Sequence, residues 1–199
     1  MKLETERLIL RKPRMSDMND LIEGIGNIKI SKYLMTVPYP YKKEDAKWWI
    51  NNTIKNWVKK EIKKYNLFIE LKSSKRVIGS ISLEINYHNQ IGSTGSWINE
   101  KYHKRGYITE AKIAVNNFAF NKLNLRKLET SVFTSNKASN TTQKKVGYEL
   151  EGLKREHAIC KATGKIHDEN IYGLLKSEWK KIEPKLKKHL KDKIKRLKS

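Results

Sequence analysis

Three strand-like segments follow one another directly in the middle of this chain, and helical segments stand on either side of them. Consecutive strands joined by short turns pair with one another, whereas strands that alternate with helices build a sheet with helices on its faces. Both arrangements occur here, which predicts one mixed sheet in an α/β (α+β) fold. The three segments are YNLFIELK, RVIGSISLEINY and IGSTGSWINE, at residues 65–72, 76–87 and 91–100.

Apolar periodicity and capping residues predict the other elements. A first strand at 6–13 ends at Pro13, and Ser16 or Asp17 caps a short helix at 15–27. The apolar residues of a second helix, at 42–64, recur at helical spacing, so we expect its tryptophans to pack in the core. There follow a helix at about 106–122, a strand at 125–133, a helix at 136–147 that stops at Gly147, and strands at 148–161 and 167–175.

Length and composition favour one soluble domain. A chain of 199 residues with 38% hydrophobic content can bury one sizeable core. Its single cysteine, Cys160, excludes an internal disulfide and a cysteine-based metal cage, and the five histidines have no metal-ligand spacing, so we expect no metal. The chain has neither a signal-like start nor a run of apolar residues that could cross a bilayer, which predicts a cytoplasmic location.

The chain carries a formal charge of +22, from 43 Lys and Arg against 21 Asp and Glu. Such a charge attracts polyanions and makes association sensitive to salt. The basic residues are spread over the whole chain. They are therefore as compatible with a coding bias towards Lys, Asn and Ile as with proximity to RNA or the ribosome.

The C-terminal segment predicts a basic amphipathic helix at 179–199, separate from a domain at 1–178. Apolar residues recur there at helical intervals with lysines between them. Docking on the body or on a second subunit is favoured over contact with a membrane or RNA. The sequence does not determine the oligomeric state, and both a monomer and a homodimer are compatible with it.

One glycine, Gly106, lies in the basic stretch EKYHKRGYITEA at residues 100–111, where a loop becomes a helix. The start of a helix has free N–H groups and the positive end of its dipole. A glycine there lets the backbone come close to a ligand, and Lys104 and Arg105 add positive charge. A structural turn is the alternative, but the pattern suits an anion such as a pyrophosphate.

Several segments, taken in order, resemble the GCN5-related N-acetyltransferases. His103 to Ile108 is similar to the family's acetyl-coenzyme A loop, Q/R-x-x-G-x-G/A, although His103 and Ile108 depart from it. SNKASNTTQKKVGYELEG resembles the family's N-x-x-S-N … K-x-G-F-x-x-E-G segment. TERLILRKP and REHAICKATGKIHDENIYGLLKSEW are similar to the branch of ribosomal-protein serine and alanine N-terminal acetyltransferases.

This resemblance implies a mostly antiparallel sheet of six to seven strands, splayed between the fourth and fifth. It also implies acetyl-coenzyme A as co-substrate. Backbone amides of the loop would hold the pyrophosphate, the edge of the fourth strand would pair with the pantetheine arm, and Asn136 would bond a pantetheine amide, with helix capping as its alternative role. The implied residues are Lys104, Arg105, Gly106, Tyr107, Ile108 and Thr109 in the loop and Trp97, Ile98 and Asn99 in the strand.

The resemblance also implies direct attack of an amine on the acetyl thioester. Ser139, or less favourably Tyr148, would protonate the departing thiolate. Many relatives carry a glutamate on the fourth strand where this chain has Ser93, so the base stays open. The candidates are Glu84 on the third strand and Glu156 or His157.

The expected acceptor is the N-terminal α-amine of a protein such as a ribosomal protein. An α-amine has a pKa near 8, against about 10.4 for lysine, so more of it is neutral and it depends less on a base. A small amine, such as a polyamine or an antibiotic, is the alternative. A basic RNA-binding or ribosome-binding module without catalysis is an alternative of another class.

Overall fold

The computed structural model describes residues 2–57 and 62–197. Its strands are β1 Lys2–Glu4, β2 Leu8–Arg11, β3 Lys64–Leu71, β4 Val77–Asn86, β5 Ile91–Ile98, β6 Lys127–Phe133, β7 Glu149–Ile159 and β8 Ile166–Leu175. Its helices are α1 Met18–Ile25, α2 Ile28–Ser31, α3 Lys43–Asn56, α4 Tyr107–Asn117, α5 Lys137–Lys145 and α6 Lys176–Arg196. Short 3₁₀ turns at Met15–Asp17 and Glu100–Tyr102 precede α1 and α4, and a π turn at Phe118–Lys122 follows α4.

All eight strands belong to one sheet, in the order β1-β2-β3-β4-β5-β6-β8-β7. Every neighbouring pair is antiparallel except β5 and β6, which are parallel. This confirms the predicted mixed, mostly antiparallel α/β fold. The structure has one strand more than the seven predicted, the three-residue β1 at the start of the chain. The strand predicted as the fourth is therefore β5, and the one predicted as the fifth is β6.

The strands β5 and β6 separate soon after they begin. Only Ile91–Ser93 pairs with Lys127–Glu129, whereas β4 pairs with β5 along its whole length. The predicted splay between the fourth and fifth strands is confirmed. Thr130 Oγ1 donates a hydrogen bond of 2.8 Å to the carbonyl oxygen of Thr94 and closes the narrow end of the gap.

Each face of the sheet is covered by helices at a different place. The larger apolar cluster lies between the sheet and α4, and α6 packs against its outer side through Trp179. A smaller cluster lies on the other face, where α1 and α3 cover β3, β4 and the side chain of Trp97. Gly24 of α1 permits this contact, since a Cβ there would lie 2.5 Å from the Trp97 ring.

The helix predicted at 42–64 is shorter in the structure. Helix α3 ends at Asn56, and residues 58–61 of the prediction lie outside the described residues. The prediction was wrong at 62–64, because Lys64 begins β3 and pairs with Glu84. Of the tryptophans, Trp49 stacks on Phe68 with 5.5 Å between ring centres, while Trp48 is 67% exposed.

Helix α6 docks on the body of the protein. It begins at Lys176, three residues before the predicted boundary, and continues through Pro184. Trp179 is 1% exposed, stacks on Phe120 and donates from Nε1 to Asn117 Oδ1 at 3.0 Å. The amphipathic face of α6 therefore packs against α4, one of the positions that its sequence pattern favoured.

Replacement of Trp179 tests this docking. Trp179→Ala should lower the free energy of unfolding by about 3–5 kcal/mol, because a large buried aromatic ring is lost. Trp48→Ala, which removes an exposed ring of the same type, should cost about 0.5 kcal/mol or less. Guanidinium denaturation followed by circular dichroism measures both, and equal losses would show that α6 is not packed as described.

Candidate active site

The loop before α4 takes a left-handed backbone at two positions. Gly106 has φ +81° and Lys104 has φ +62°, a region that glycine enters without steric penalty and other residues enter rarely. Helix α4 begins at Tyr107, and the first amides of a helix have no acceptor within it. Together with the helix dipole they can bind an anion. The six residues predicted for the pyrophosphate, from Lys104 to Thr109, lie together here.

Glu110, in the first turn of α4, fixes the loop to the N-terminal segment. Its carboxylate is 1% exposed and accepts hydrogen bonds from Thr5 Oγ1 at 2.6 Å, from Arg7 N at 2.9 Å and from Arg7 Nε at 2.7 Å. Arg7 Nη1 also donates to the carbonyl oxygen of Arg105 at 3.0 Å. Sequence reasoning missed Arg7 and Glu110, since an acid in a first turn also suits the helix dipole without any partner.

Two other side chains hold carbonyl oxygens at the ends of the loop. Lys193 of α6 donates from Nζ to the carbonyl oxygen of Lys104 at 3.0 Å. His103 Nε2 lies 2.9 Å from the carbonyl oxygen of Ile98, at the end of β5. The loop backbone is therefore fixed from three sides, which orients the amides at the start of α4.

The edge of β5 that faces the gap carries the backbone groups of Ser96 and Ile98. Asn99 N donates to the carbonyl oxygen of Ile78, towards β4, and successive residues of a strand direct these groups to alternate sides. Trp97 and Asn99 were expected to share the edge with Ile98. Their backbone groups point to β4 instead, because β4 pairs with β5 along its full length.

Asn136 and Ser139 lie at the start of α5. Because β5 and β6 are parallel, α5 begins at the same edge of the sheet as α4. Asn136 Oδ1 accepts a hydrogen bond from Ser139 N at 3.1 Å, so the capping role is present. This cap uses the amide oxygen, whereas a ligand carbonyl would need the amide nitrogen. Ser139 Oγ lies 3.5 Å from Gln143 Nε2 and is half-buried.

Asn140 is a further residue of this segment whose role sequence reasoning missed. Its Nδ2 donates to the carbonyl oxygens of Phe133 and Asn136, at 3.0 and 2.8 Å. Its Oδ1 accepts from Asn170 Nδ2 and Tyr172 OH, both at 2.8 Å. These four bonds join the end of β6, the start of α5 and β8, and so hold α5 against the sheet.

Tyr148, the alternative proton donor, is enclosed beside α4. Its side chain is 2% exposed, and its hydroxyl donates to Asn116 Oδ1 at 3.3 Å. Burial raises the pKa of Tyr148. The ammonium of Lys112 lies 5.7 Å from the Tyr148 ring centre, and burial lowers the pKa of Lys112 to about 8. The Tyr148 hydroxyl is therefore buried and hydrogen-bonded to Asn116.

Ser93 is flanked by a carboxylate on each neighbouring strand. Glu84 of β4 and Glu129 of β6 both pair with Ser93 in register, and residues opposite one another in a sheet share a face. Their face is the one opposite α4, and Ser93 is exposed on it. Glu84 forms an ion pair with Lys64 at 2.7 Å. Sequence reasoning found Glu84 and missed Glu129, which lies 36 residues after Ser93.

The other candidate bases lie far from Ser93. In β7 the residue level with Ser93 is Glu149, since Glu149 and Glu129 both pair with Gly173. Glu156 lies beside Asp168 of β8, five residues from Gly173, which is roughly 17 Å along the sheet at about 3.3 Å per residue. Its N–H donates to Asp168 Oδ1 at 2.7 Å, beside an irregularity of β7. Glu156 and His157 therefore lie far from Ser93, towards the end of the sheet at which α5 begins.

Within residues 2–57 and 62–197, no group of three or more His, Cys, Asp or Glu side chains is placed to hold a metal ion. None of the helices in this described part combines the length and the apolar content that a membrane span requires. The described chemistry of the site consists of backbone amides, hydroxyls, carboxylates and cationic side chains.

The chain matches the family model described as acetyltransferase (GNAT) domain over residues 7–149. This match includes the loop, the start of α4, the gap between β5 and β6 and all of α5. The chain therefore belongs to the GNAT family of acetyltransferases, as its sequence resemblance indicated.

Three comparisons give the extent of the similarity. The uncharacterized N-acetyltransferase p20 of Bacillus licheniformis is 26% identical over 89% of this chain and 97% of its own length. The putative ribosomal-protein-serine acetyltransferase of Vibrio cholerae has a TM-score of 0.75 and 24% identity, over 88% of this chain and 97% of that one. The Microcin C7 self immunity acetyltransferase MccE, solved with acetyl-CoA and AMP, has a TM-score of 0.72 and 22% identity, over 86% and 93%.

The pair of Arg7 and Glu110 gives a prediction for stability. Glu110→Gln should lower the free energy of unfolding by about 3–5 kcal/mol, because it leaves a mostly buried guanidinium without its counter-charge. Glu84→Gln makes the same chemical change in an exposed ion pair and should cost less than about 1 kcal/mol. Urea denaturation followed by tryptophan fluorescence gives both values. A small cost for Glu110→Gln would remove its assigned anchoring role.

Proposed function

We propose that this protein transfers the acetyl group of acetyl-coenzyme A to a primary amine, most directly the N-terminal α-amine of a protein such as a ribosomal protein. One observation carries the proposal: the gap between β5 and β6 opens beside the amides at the start of α4. This combination fits a ligand with a diphosphate at one end and an extended arm containing amides. Acetyl-coenzyme A, the donor of the GNAT acetyltransferases, has that form.

The proposed donor site uses backbone groups more than side chains. The amides of Tyr107, Ile108 and Thr109 hold the diphosphate, and Lys104 and Arg105 add charge from the loop. The pantetheine arm pairs with the edge of β5 as an added strand. Ile108 and His103 differ from the family's usual residues only in their side chains. The backbone N–H donors of the loop are therefore retained.

In the proposed acetyl transfer, the protein performs three tasks. The amine nitrogen attacks the thioester carbonyl carbon, an N–C bond forms and the C–S bond breaks. A backbone N–H on the gap side of β5, at Ser96 or Ile98, stabilises the carbonyl oxygen as it gains negative charge. Ser139 supplies the proton that the thiolate takes up, while a base accepts the proton that the amine releases.

Glu84 is the proposed base. It lies beside Ser93, the position at which many relatives carry a glutamate, and on the same exposed face of the sheet. A carboxylate on the adjacent strand can accept the proton through a water molecule where the serine cannot. Glu129 lies at equal register on the other side of Ser93 and is the second candidate.

The basic surface of the protein favours an acceptor at a ribonucleoprotein. A charge of +22 speeds encounter with an acidic partner such as a ribosome and repels a free polycation. An α-amine is also more often neutral than a lysine or polyamine nitrogen, which suits an exposed base. A small amine is the second candidate, because the carboxylates Glu84 and Glu129 lie on either side of Ser93, although Lys64 and Lys127 form ion pairs with them.

Substitution of the two carboxylates tests the base. Glu84→Gln should lower kcat by about 100-fold, in the range for loss of a general base, and leave the Kd for acetyl-coenzyme A unchanged. Glu129→Gln is the matched variant and should keep most of the activity. Rates are measured as coenzyme A release at several pH values. The reverse order of effects would transfer the role to Glu129, and two fully active variants would exclude both.

The acceptor is tested by competition at physiological salt. A peptide that carries the N-terminus of a ribosomal protein should show a higher kcat/KM than spermidine, since an α-amine with a pKa near 8 has a far larger neutral fraction at physiological pH than an alkyl amine with a pKa near 10. Acetylated products are identified by mass spectrometry. Preference for spermidine would move the proposal to small amines. Binding of acetyl-coenzyme A without transfer to either acceptor would favour a non-catalytic RNA-binding or ribosome-binding module.

A further inference from the structure

The last turns of α6 lie beside the proposed diphosphate site, outside the residues that match the family model. Helix α6 runs antiparallel to α4, since Trp179 meets Asn117 at the end of α4 and Lys193 meets Lys104 before its start. Ile194, next to Lys193, is 2% exposed. The end of α6 is therefore held in place by buried apolar contact.

Lys193 follows the surface of the loop. A Cβ at Gly106 would lie 3.5 Å from Lys193 Cδ and 3.7 Å from Cε, at ordinary van der Waals distance. The ammonium lies at the carbonyl oxygen of Lys104. Burial, together with the positive charges of Lys145 and Arg7, lowers the pKa of Lys193. A bound polyanion would relieve this repulsion and stabilise the charged form.

A surface cavity of about 350 Å³ lies between α5 and α6. Its volume is within the range of roughly 300–1,000 Å³ that small-molecule sites have. Three of its side chains are cationic and one is acidic, and Lys193 belongs to both the cavity and the loop. Lys193 therefore connects the cavity with the loop that holds the proposed diphosphate site. Its lining residues are Lys145, His189, Asp192, Lys193, Arg196 and Leu197.

We infer that this cavity binds the 3′-phosphoadenosine part of acetyl-coenzyme A, with Lys145 and Arg196 at the 3′-phosphate and Lys193 at the diphosphate. The inference rests on the proposed function. A phosphomonoester carries about −1.5 to −2 charges at pH 7 and matches two cations. The α6 dipole, whose negative end points here, is offset by the basic residues of its last turn.

A ligand that lacks the 3′-phosphate distinguishes the proposed contacts with the 3′-phosphate from those with the diphosphate. Isothermal titration calorimetry is carried out with coenzyme A and with 3′-dephospho-coenzyme A on the chain of 199 residues. Lys145→Gln should weaken coenzyme A about tenfold, as for one charge-assisted hydrogen bond, and leave the dephospho ligand unchanged. Lys193→Gln should weaken both ligands by similar factors. Lys188→Gln, an exposed charge on α6 outside the cavity, is the matched control for net charge.

The outcomes distinguish this inference from the proposed function. If the unaltered protein binds neither ligand, the donor assignment itself fails. If it binds coenzyme A but Lys145→Gln and Lys193→Gln behave like Lys188→Gln, the adenosine subsite lies elsewhere and only the inference is overturned. Circular dichroism melting of each variant establishes that any loss of affinity occurs in a folded protein.

Discussion

The divergence of β5 and β6 determines the arrangement of the whole site. Two parallel strands that stop pairing after three residues expose backbone donors and acceptors, which are costly to bury unpaired. The hydrogen bond from Thr130 to Thr94 closes the narrow end, and the rest of the gap presents a strand edge that a peptide-like arm can complement. Because α4 follows β5 and α5 follows β6, both helices begin at the open end. The proposed contacts with the diphosphate and with the pantetheine arm thus both depend on the divergence of β5 and β6.

Charged side chains lie on both faces of the sheet, and Lys64 and Lys127 form ion pairs with the carboxylates Glu84 and Glu129. Around the start of α4, Lys193 lies at the carbonyl oxygen of Lys104 and beside the positive charge of Lys145, and Arg7 is paired with the buried carboxylate of Glu110. On the opposite face, Glu84 and Glu129 flank Ser93. An anionic donor would therefore meet positive charge at the start of α4, whereas the amine must lose its proton before it can attack the thioester.

Much of the fold follows from local sequence, and the errors have local causes too. Periodicity located the strands from residue 65 to 100, and Gly106 marked the loop because only a residue without Cβ enters φ +81° at no cost. The helix at 42–64 was predicted too long, since pairing of Lys64 with Glu84 overrides helical periodicity. The cap by Asn136, which the sequence predicted only as its alternative role, is present, whereas Asn140 was missed because its partners come from β6 and β8.

By itself, the sequence determined the family, the α/β fold, the glycine loop and the residues that begin α4 and α5, since each depends on neighbours within one or two turns of chain. Only the tertiary structure decided which groups meet across the fold. It placed Ile98 rather than Asn99 on the gap side of β5, set Glu129 beside Ser93, and brought Lys193 to the loop from 89 residues away. Register, strand polarity and helix docking set these contacts, and they arise only when the whole sheet assembles.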